Sequence, residues 1–135
     1  MKKLFLFILF GCVLVSCIPR TDGGDYEIIR GSVSDEIGQP LQGIRISYYW
    51  TKEDLDEQWT NIYTDSREDG TYYLIDRSHQ NAQNSRDFYL VATDPKAFYQ
   101  SQTIQAKMTY NTTTNNADDR YAGIAEVNII MIPRK

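Results

Sequence analysis

The chain has 135 residues, 13% of them aromatic and 24% charged, with a formal net charge of -4 and 2 cysteines. That length holds one domain with one modest core, and the acidic balance argues against nucleic acid as a partner. Both cysteines, Cys12 and Cys17, fall at the N-terminus, so the rest of the chain has no thiol for a disulfide, a thiolate metal site or a cysteine nucleophile.

Met1-Lys2-Lys3 forms a positive n-region, and Leu4 to Val15 is an apolar stretch interrupted by Gly11 and Cys12. This is the length of an export signal and too short for a lasting transmembrane helix. Leu14-Val15-Ser16-Cys17 resembles the bacterial lipobox. The resemblance implies diacylglyceryl transfer to Cys17, cleavage after Ser16 and acylation of the new amino group. Cys12 is the poorer candidate, with few apolar residues before it and a bulky Phe10 in the middle of Leu9-Phe10-Gly11. The implied organisation is a signal peptide over 1–16, a lipidated cysteine and flexible tether over 17–25, and a domain over 26–135. Several acyl chains anchor stably where one binds only marginally, so the membrane is a partner through Cys17. Ile18, where enterobacterial inner-membrane lipoproteins carry aspartate, points to the outer membrane. With Lys2 and Lys3 removed, 12 of the 14 basic residues remain against 18 acidic ones, for a net charge of -6.

After the Gly-rich tether, the chain is a series of short β-branched and aromatic runs separated by turn residues, which predicts an all-β sandwich of seven strands. The first strand is Tyr26 to Ser34. A turn over Asp35 to Pro40 leads to the second, Ile44 to Thr51, where Ile44, Ile46, Tyr48 and Trp50 share one face. Lys52 to Gln58 reads as a loop or a single helical turn. Trp59 to Thr64 is the third strand, and Asp69-Gly70 supplies the positive φ for a hairpin into the fourth, Thr71 to Ile75. Arg77 to Asp87 reads as a polar loop, Phe88 to Thr93 as strand five, and Phe98 to Tyr110 as a sixth strand bending near Ala106. Asn111 to Arg120 is a second polar loop. The last strand runs from Ile124 to Ile132 with Ala125, Val127, Ile129 and Met131 on one face.

Gly31-Ser32-Val33-Ser34-Asp35, Gly38-Gln39-Pro40-Leu41-Gln42-Gly43-Ile44, Thr64-Asp65 and Gly70-Thr71-Tyr72 together resemble the carboxypeptidase regulatory-like domains, a transthyretin-like β-sandwich family. The resemblance implies a seven-stranded transthyretin-like (prealbumin-like) sandwich in which Gly-x-Pro-Leu forms the first hairpin. It implies no peptidase activity, because these domains lack the catalytic zinc residues. The hairpin over Ser66 to Asp69 is about two residues longer than the family's spacing. The whole layout, ending in Tyr121-Ala122-Gly123-Ile124-Ala125-Glu126-Val127-Asn128-Ile129, resembles small lipoproteins of Bacteroidetes-type bacteria whose genes sit near radical SAM enzymes.

Residues suited to catalysis are sparse. His79, the one histidine, stands in a polar stretch with no second imidazole, so the chain reads as no enzyme and as needing no cofactor. Asp65, Glu68 and Asp69 crowd one hairpin and form a weak Ca²⁺ candidate whose spacing fits no EF-hand. Asp118-Asp119 is weaker still, and Asn111-Thr112-Thr113 is a sequon without meaning in a bacterial host. The 10 tyrosines and 2 tryptophans stand out. Adjacent aromatics in a strand point to opposite faces, so Tyr49, Trp59 and Tyr73 are candidate ligand platforms. The expected function is a non-catalytic anchored module that recruits an envelope protein. The alternative is a glycan-binding accessory lipoprotein using those platforms.

Overall fold

In the computed structural model the described residues are 26–60, 62–77, 85–110 and 121–135. Cys17, the tether, His79, Asn111 and the Asp118-Asp119 pair lie outside them. The described residues form an all-β fold, with strands β1 (Tyr26–Asp35), β2 (Arg45–Tyr49), β3 (Tyr63–Asp65), β4 (Thr71–Arg77), β5 (Ser85–Thr93), β6 (Gln102–Tyr110), β7 (Tyr121–Glu126) and β8 (Ile129–Met131). A helix of one turn and a half, α1 (Lys52–Asp56), stands between β2 and β3.

The strand order is β3-β2-β5-β6-β7-β1-β4, with β8 added beside β1. β1 is the pivot, antiparallel to β4 and parallel to both β7 and β8. β6 and β7 meet at only Thr109↔Ile124 and Tyr110↔Gly123, so the sheet folds there into two facing halves. The segment before β6 pairs with the segment after β8: Gln100 N–H donates to the Ile132 carbonyl and Arg134 N–H to that of Phe98.

Period-two alternation places Ile29 and Val33 of β1, Ile46 and Tyr48 of β2, Tyr72 and Leu74 of β4, Phe88, Leu90 and Ala92 of β5, Met108 of β6, and Ile129 and Met131 of β8 in one core. Burial of each large apolar side chain is worth roughly 1.5–3 kcal/mol. Leu41 packs against this core from the first hairpin. Gly70 takes φ +78, and a Cβ there would stand 2.6 Å from the Val33 carbonyl oxygen and 2.9 Å from Pro40 Cβ. The Asp-Gly hairpin thus packs directly on the Pro40 turn, which explains glycine at that position.

Several boundaries differ from the sequence expectation. Residues Lys52–Asp56 form a helix because Thr51 caps it: the Asp54 N–H donates to Thr51 Oγ1 at 3.1 Å, and Asp54 returns a carboxylate to the Thr51 N–H at 3.1 Å. Trp59 lies outside β3, which is three residues long. β5 starts at Ser85, inside the stretch read as a loop, and β6 passes Ala106 in unbroken register with β5. The last strand divides at Val127-Asn128, although Ala125, Ile129 and Met131 all face inward as expected.

The buried polar groups are satisfied. Asp94 accepts the N–H groups of Lys96, Phe98 and Tyr99 at 2.9, 2.7 and 3.2 Å. Burial pushes this carboxyl up, but the three donors outweigh it and hold Asp94 below the ordinary carboxylate range. Ser66 accepts the Ile44 N–H at 3.0 Å and donates to the Leu41 carbonyl at 2.6 Å, joining the two hairpins.

Candidate functional site

The outer face of β4, β1 and β7 carries an open groove of about 670 Å³, within the usual size of small-ligand sites. Register builds it row by row. Arg30 stands opposite Tyr73 on β4 and Glu126 on β7, and Ser32 opposite Thr71. Tyr73 is 38% exposed, with its ring on the groove side. Arg30 and Glu126 pair at 3.8 Å, both well exposed, so the pair is weak and replaceable.

Below this face, glycine makes the geometry. A Cβ on Gly31 would lie 1.8 Å from the Val127 carbonyl oxygen. The bare glycine lets that carbonyl approach, and Tyr72 Oη–H donates to it at 2.6 Å. Burial pushes the Tyr72 hydroxyl pKa up, keeping it a proton donor. The Val127 N–H donates to the Arg30 carbonyl. Held in this way, the break between β7 and β8 delivers Asn128 to the groove, where its Oδ1 accepts the Ser32 N–H and hydroxyl at 3.0 Å each. A backbone N–H can only donate, so the oxygen faces Ser32 and the amide NH₂ is left over. Arg67 enters from the β3–β4 hairpin, positioned by its N–H to the Thr71 carbonyl at 2.8 Å. In the same hairpin Asp69 Oδ1 accepts the Thr71 N–H and hydroxyl at 3.0 and 2.6 Å, and its carboxylate interacts electrostatically with Arg67.

A second polar cluster is sealed inside the sandwich. Glu27, fully buried on β1, accepts from Tyr110 Oη at 2.5 Å and Tyr48 Oη at 3.3 Å and forms an ion pair with Arg86. Arg86 also donates to Tyr48 Oη at 2.6 Å and Tyr110 Oη at 2.8 Å, and its guanidinium lies 5.5 Å from the Trp50 ring centre. Burial pushes the Tyr110 hydroxyl up to about 12, helped by its bond to Glu27, and burial raises Tyr48 as well. With Glu27 fully buried and the Arg86 side chain 14% exposed, the cluster reads as a structural device.

The expected platforms separate. Tyr73 lines the groove. Tyr49 is only 9% exposed, because α1 packs on β2 and β5, whose register ends at Tyr49↔Tyr89; it is no platform. Trp59 is 69% exposed but does not line the groove. Two acids of the calcium candidate are engaged elsewhere. Asp65 bonds Arg45 at 3.0 and 3.4 Å, Asp69 is bound to Thr71, and Glu68 is exposed. Hydrogen bonds from Thr71 hold the Asp69 carboxyl below its ordinary range. Among the described residues, no group of three or more His, Cys, Asp or Glu side chains is placed to hold a metal ion.

Sequence reading missed Arg30, Arg67, Glu126 and Asn128, which meet only through the long-range β1–β4 and β1–β7 pairings. Glu27 carried a signal: it shares strand parity with Ile29 and Val33, which face the core.

No family model matches the chain, and no curated protein matches it. Solved structures with a similar fold include hydroxyquinol 1,2-dioxygenase from Pseudomonas putida DLL-E4, with a TM-score of 0.54 and 11% identity over 82% of this chain and 57% of that one. Catechol 1,2 dioxygenase from Acinetobacter radioresistens gives 0.53 and 11% over 87% of this chain and 55% of that one. Catechol 1,2-dioxygenase from Pseudomonas arvilla C-1 gives 0.52 and 10% over 84% and 54%. The chain spans little more than half the length of these enzymes, and the likeness is one of β fold alone.

Proposed function

We propose that the chain is a lipid-anchored, non-catalytic binding protein of the bacterial cell envelope, held in the outer membrane through Cys17 and binding its ligand in the Tyr73 groove. The lipobox Leu14 to Cys17 supports the anchor. The motifs Gly38 to Leu41 and Gly70 to Tyr72 support a transthyretin-like, carboxypeptidase regulatory-like sandwich. The observation that carries the binding role is the open groove, in which an exposed tyrosine ring is framed by hydroxyl, amide and guanidinium groups.

Sequence alone puts recruitment of an envelope protein first and glycan binding second. The groove supports the second reading over the first. A docking face for protein relies on a desolvated apolar or aromatic centre, whereas this groove surrounds one ring with hydrogen-bonding side chains, an arrangement suited to stacking and hydroxyl recognition. The dioxygenase neighbours do not transfer an activity, since identity of 10–11% carries no site residue across.

Two experiments test the proposal. Cells fed labelled palmitate incorporate it into the wild-type chain, and Cys17→Ala abolishes the label and releases the protein from the membrane fraction; a labelled Cys17→Ala protein contradicts the anchor. A glycan array probed with the full chain shows binding that Tyr73→Ala removes and Trp59→Ala leaves intact. An array blank for the wild type contradicts the glycan reading.

A further inference from the structure

We infer that the Tyr26 end of the face formed by β4, β1 and β7 rests on the lipid bilayer, with Ile75 and Ile124 in the membrane interface; this rests on the Cys17 anchor and adds an orientation for the domain.

Two residues before the groove, register lays three isoleucines across three strands: Ile28 stands opposite Ile75 on β4 and Ile124 on β7. Ile28 has the parity of Arg30 and Ser32, which line the outer groove, and it lies outside the core cluster although it is buried. Ile75 and Ile124 on either side of it are 51% and 47% exposed. Single exposed apolar residues are ordinary, whereas a contiguous exposed row marks an interaction site.

The route of the chain says what covers this row. Tyr26, the first residue of β1, lies on the same face and is the point to which residues 17–25 lead. Those residues reach at most about 32 Å even when fully extended, so anchoring at Cys17 keeps this end of the sheet beside the bilayer. A surface held that close needs little affinity of its own. A soluble partner has no such advantage.

Polarity along the face also follows the profile of a membrane interface. Tyr26 comes first, then the isoleucine row, then Tyr73 with Arg30 and Glu126, then Ser32 with Thr71. Successive rows are about 7 Å apart. Interfacial apolar faces sink roughly 5–10 Å into the headgroup boundary, which takes in Tyr26 and the isoleucines and leaves the Ser32 end of the groove in water. Tyrosine rings on both sides of the isoleucine row suit the headgroup level. Tyr26, Ile28, Ile75 and Ile124 carry no charge, so the surface they fit is zwitterionic lipid, and salt does not screen the contact.

The full lipidated chain, reconstituted in phosphatidylcholine vesicles, tests the orientation with an environment-sensitive fluorophore on one introduced cysteine, since no native cysteine follows Cys17. Ile75→Cys and Ile124→Cys report on the row. Ile130→Cys is the control, on β8 opposite Ser34 at the far end of β1, roughly 26 Å from Tyr26. Flotation with the vesicles reports the anchor, and emission reports the docking. The expected result is blue-shifted emission, quenched by spin-labelled lipid and insensitive to salt, for Ile75→Cys and Ile124→Cys but not for Ile130→Cys. Adding Ile75→Lys to the Ile124→Cys chain abolishes the shift; both residues are about half exposed, so unaltered circular dichroism is expected. A floating chain whose three labels respond alike overturns the docking and leaves the anchor standing. A shift that lipid does not quench and that grows with the protein-to-lipid ratio places a second copy on the row and also overturns the docking. A chain that does not float overturns both.

Discussion

The two polar clusters are built from the same residue types and have opposite fates. Glu27, Arg86, Tyr48 and Tyr110 are sealed in the sandwich, with the acid fully buried and each of its oxygens satisfied. Arg30, Glu126, Tyr73 and Arg67 lie in an open groove on the other side of β1, with donors to spare. Strand parity separates them: Glu27 and Arg30 are three residues apart and point to opposite faces of one strand. The same chemistry therefore stabilises the fold where it is dry and complete, and contributes little to stability where it is wet and exposed.

The comparison breaks first at Glu27. Glu27→Ala leaves the Arg86 charge in a largely buried site, and such losses cost about 3–5 kcal/mol; urea denaturation of the variant measures it, and a change under about 1 kcal/mol removes the sealed cluster from the account. Gly31→Ala comes next. The new methyl group meets backbone, the Val127 carbonyl, so β1 or the Val127–Asn128 segment must shift at about 1–3 kcal/mol. The variant also loses ligand affinity, because Asn128 moves with Val127, and unchanged affinity would uncouple the floor of the groove from its rim.

The folded-state pKa of Tyr110, about 12, lies above the usual 10.0. The raised value means that the unfolded chain gives up this proton first. Stability from this group is therefore present below pH 10 and is lost as pH climbs towards 12. Denaturation midpoints of the wild type fall more steeply across that window than those of Tyr110→Phe; parallel curves refute the assignment. The smallest effect belongs to the open side, where Arg30→Ala changes stability by less than about 1 kcal/mol, since an exposed pair at 3.8 Å contributes little.

How much of this was legible in the sequence follows the range of the interactions. Local chemistry read well: the alternation of Ile44, Ile46 and Tyr48, the Asp69-Gly70 reversal, and the inward set Ala125, Ile129 and Met131 all appear as expected. Failures came where distant strands decide. Tyr49 has the pattern of an outward aromatic, but a helix capped by Thr51 packs on its strand. The last strand reads as continuous until Gly31 draws Val127 onto β1. The turn residues Asp65, Glu68 and Asp69 look like a cation site until Arg45 and Thr71 claim two of the three. Arg30 and Arg67 carry no local signal, because their neighbours in the groove are supplied by β4 and β7.

The proposal that the sealed cluster holds the fold while the open one binds is tested most directly by Tyr73→Ala, measured for both thermal unfolding and affinity for the glycan that the wild-type chain retains on an array. The account predicts an unchanged melting temperature and an affinity reduced about ten-fold. A lowered melting temperature with unchanged affinity would contradict it.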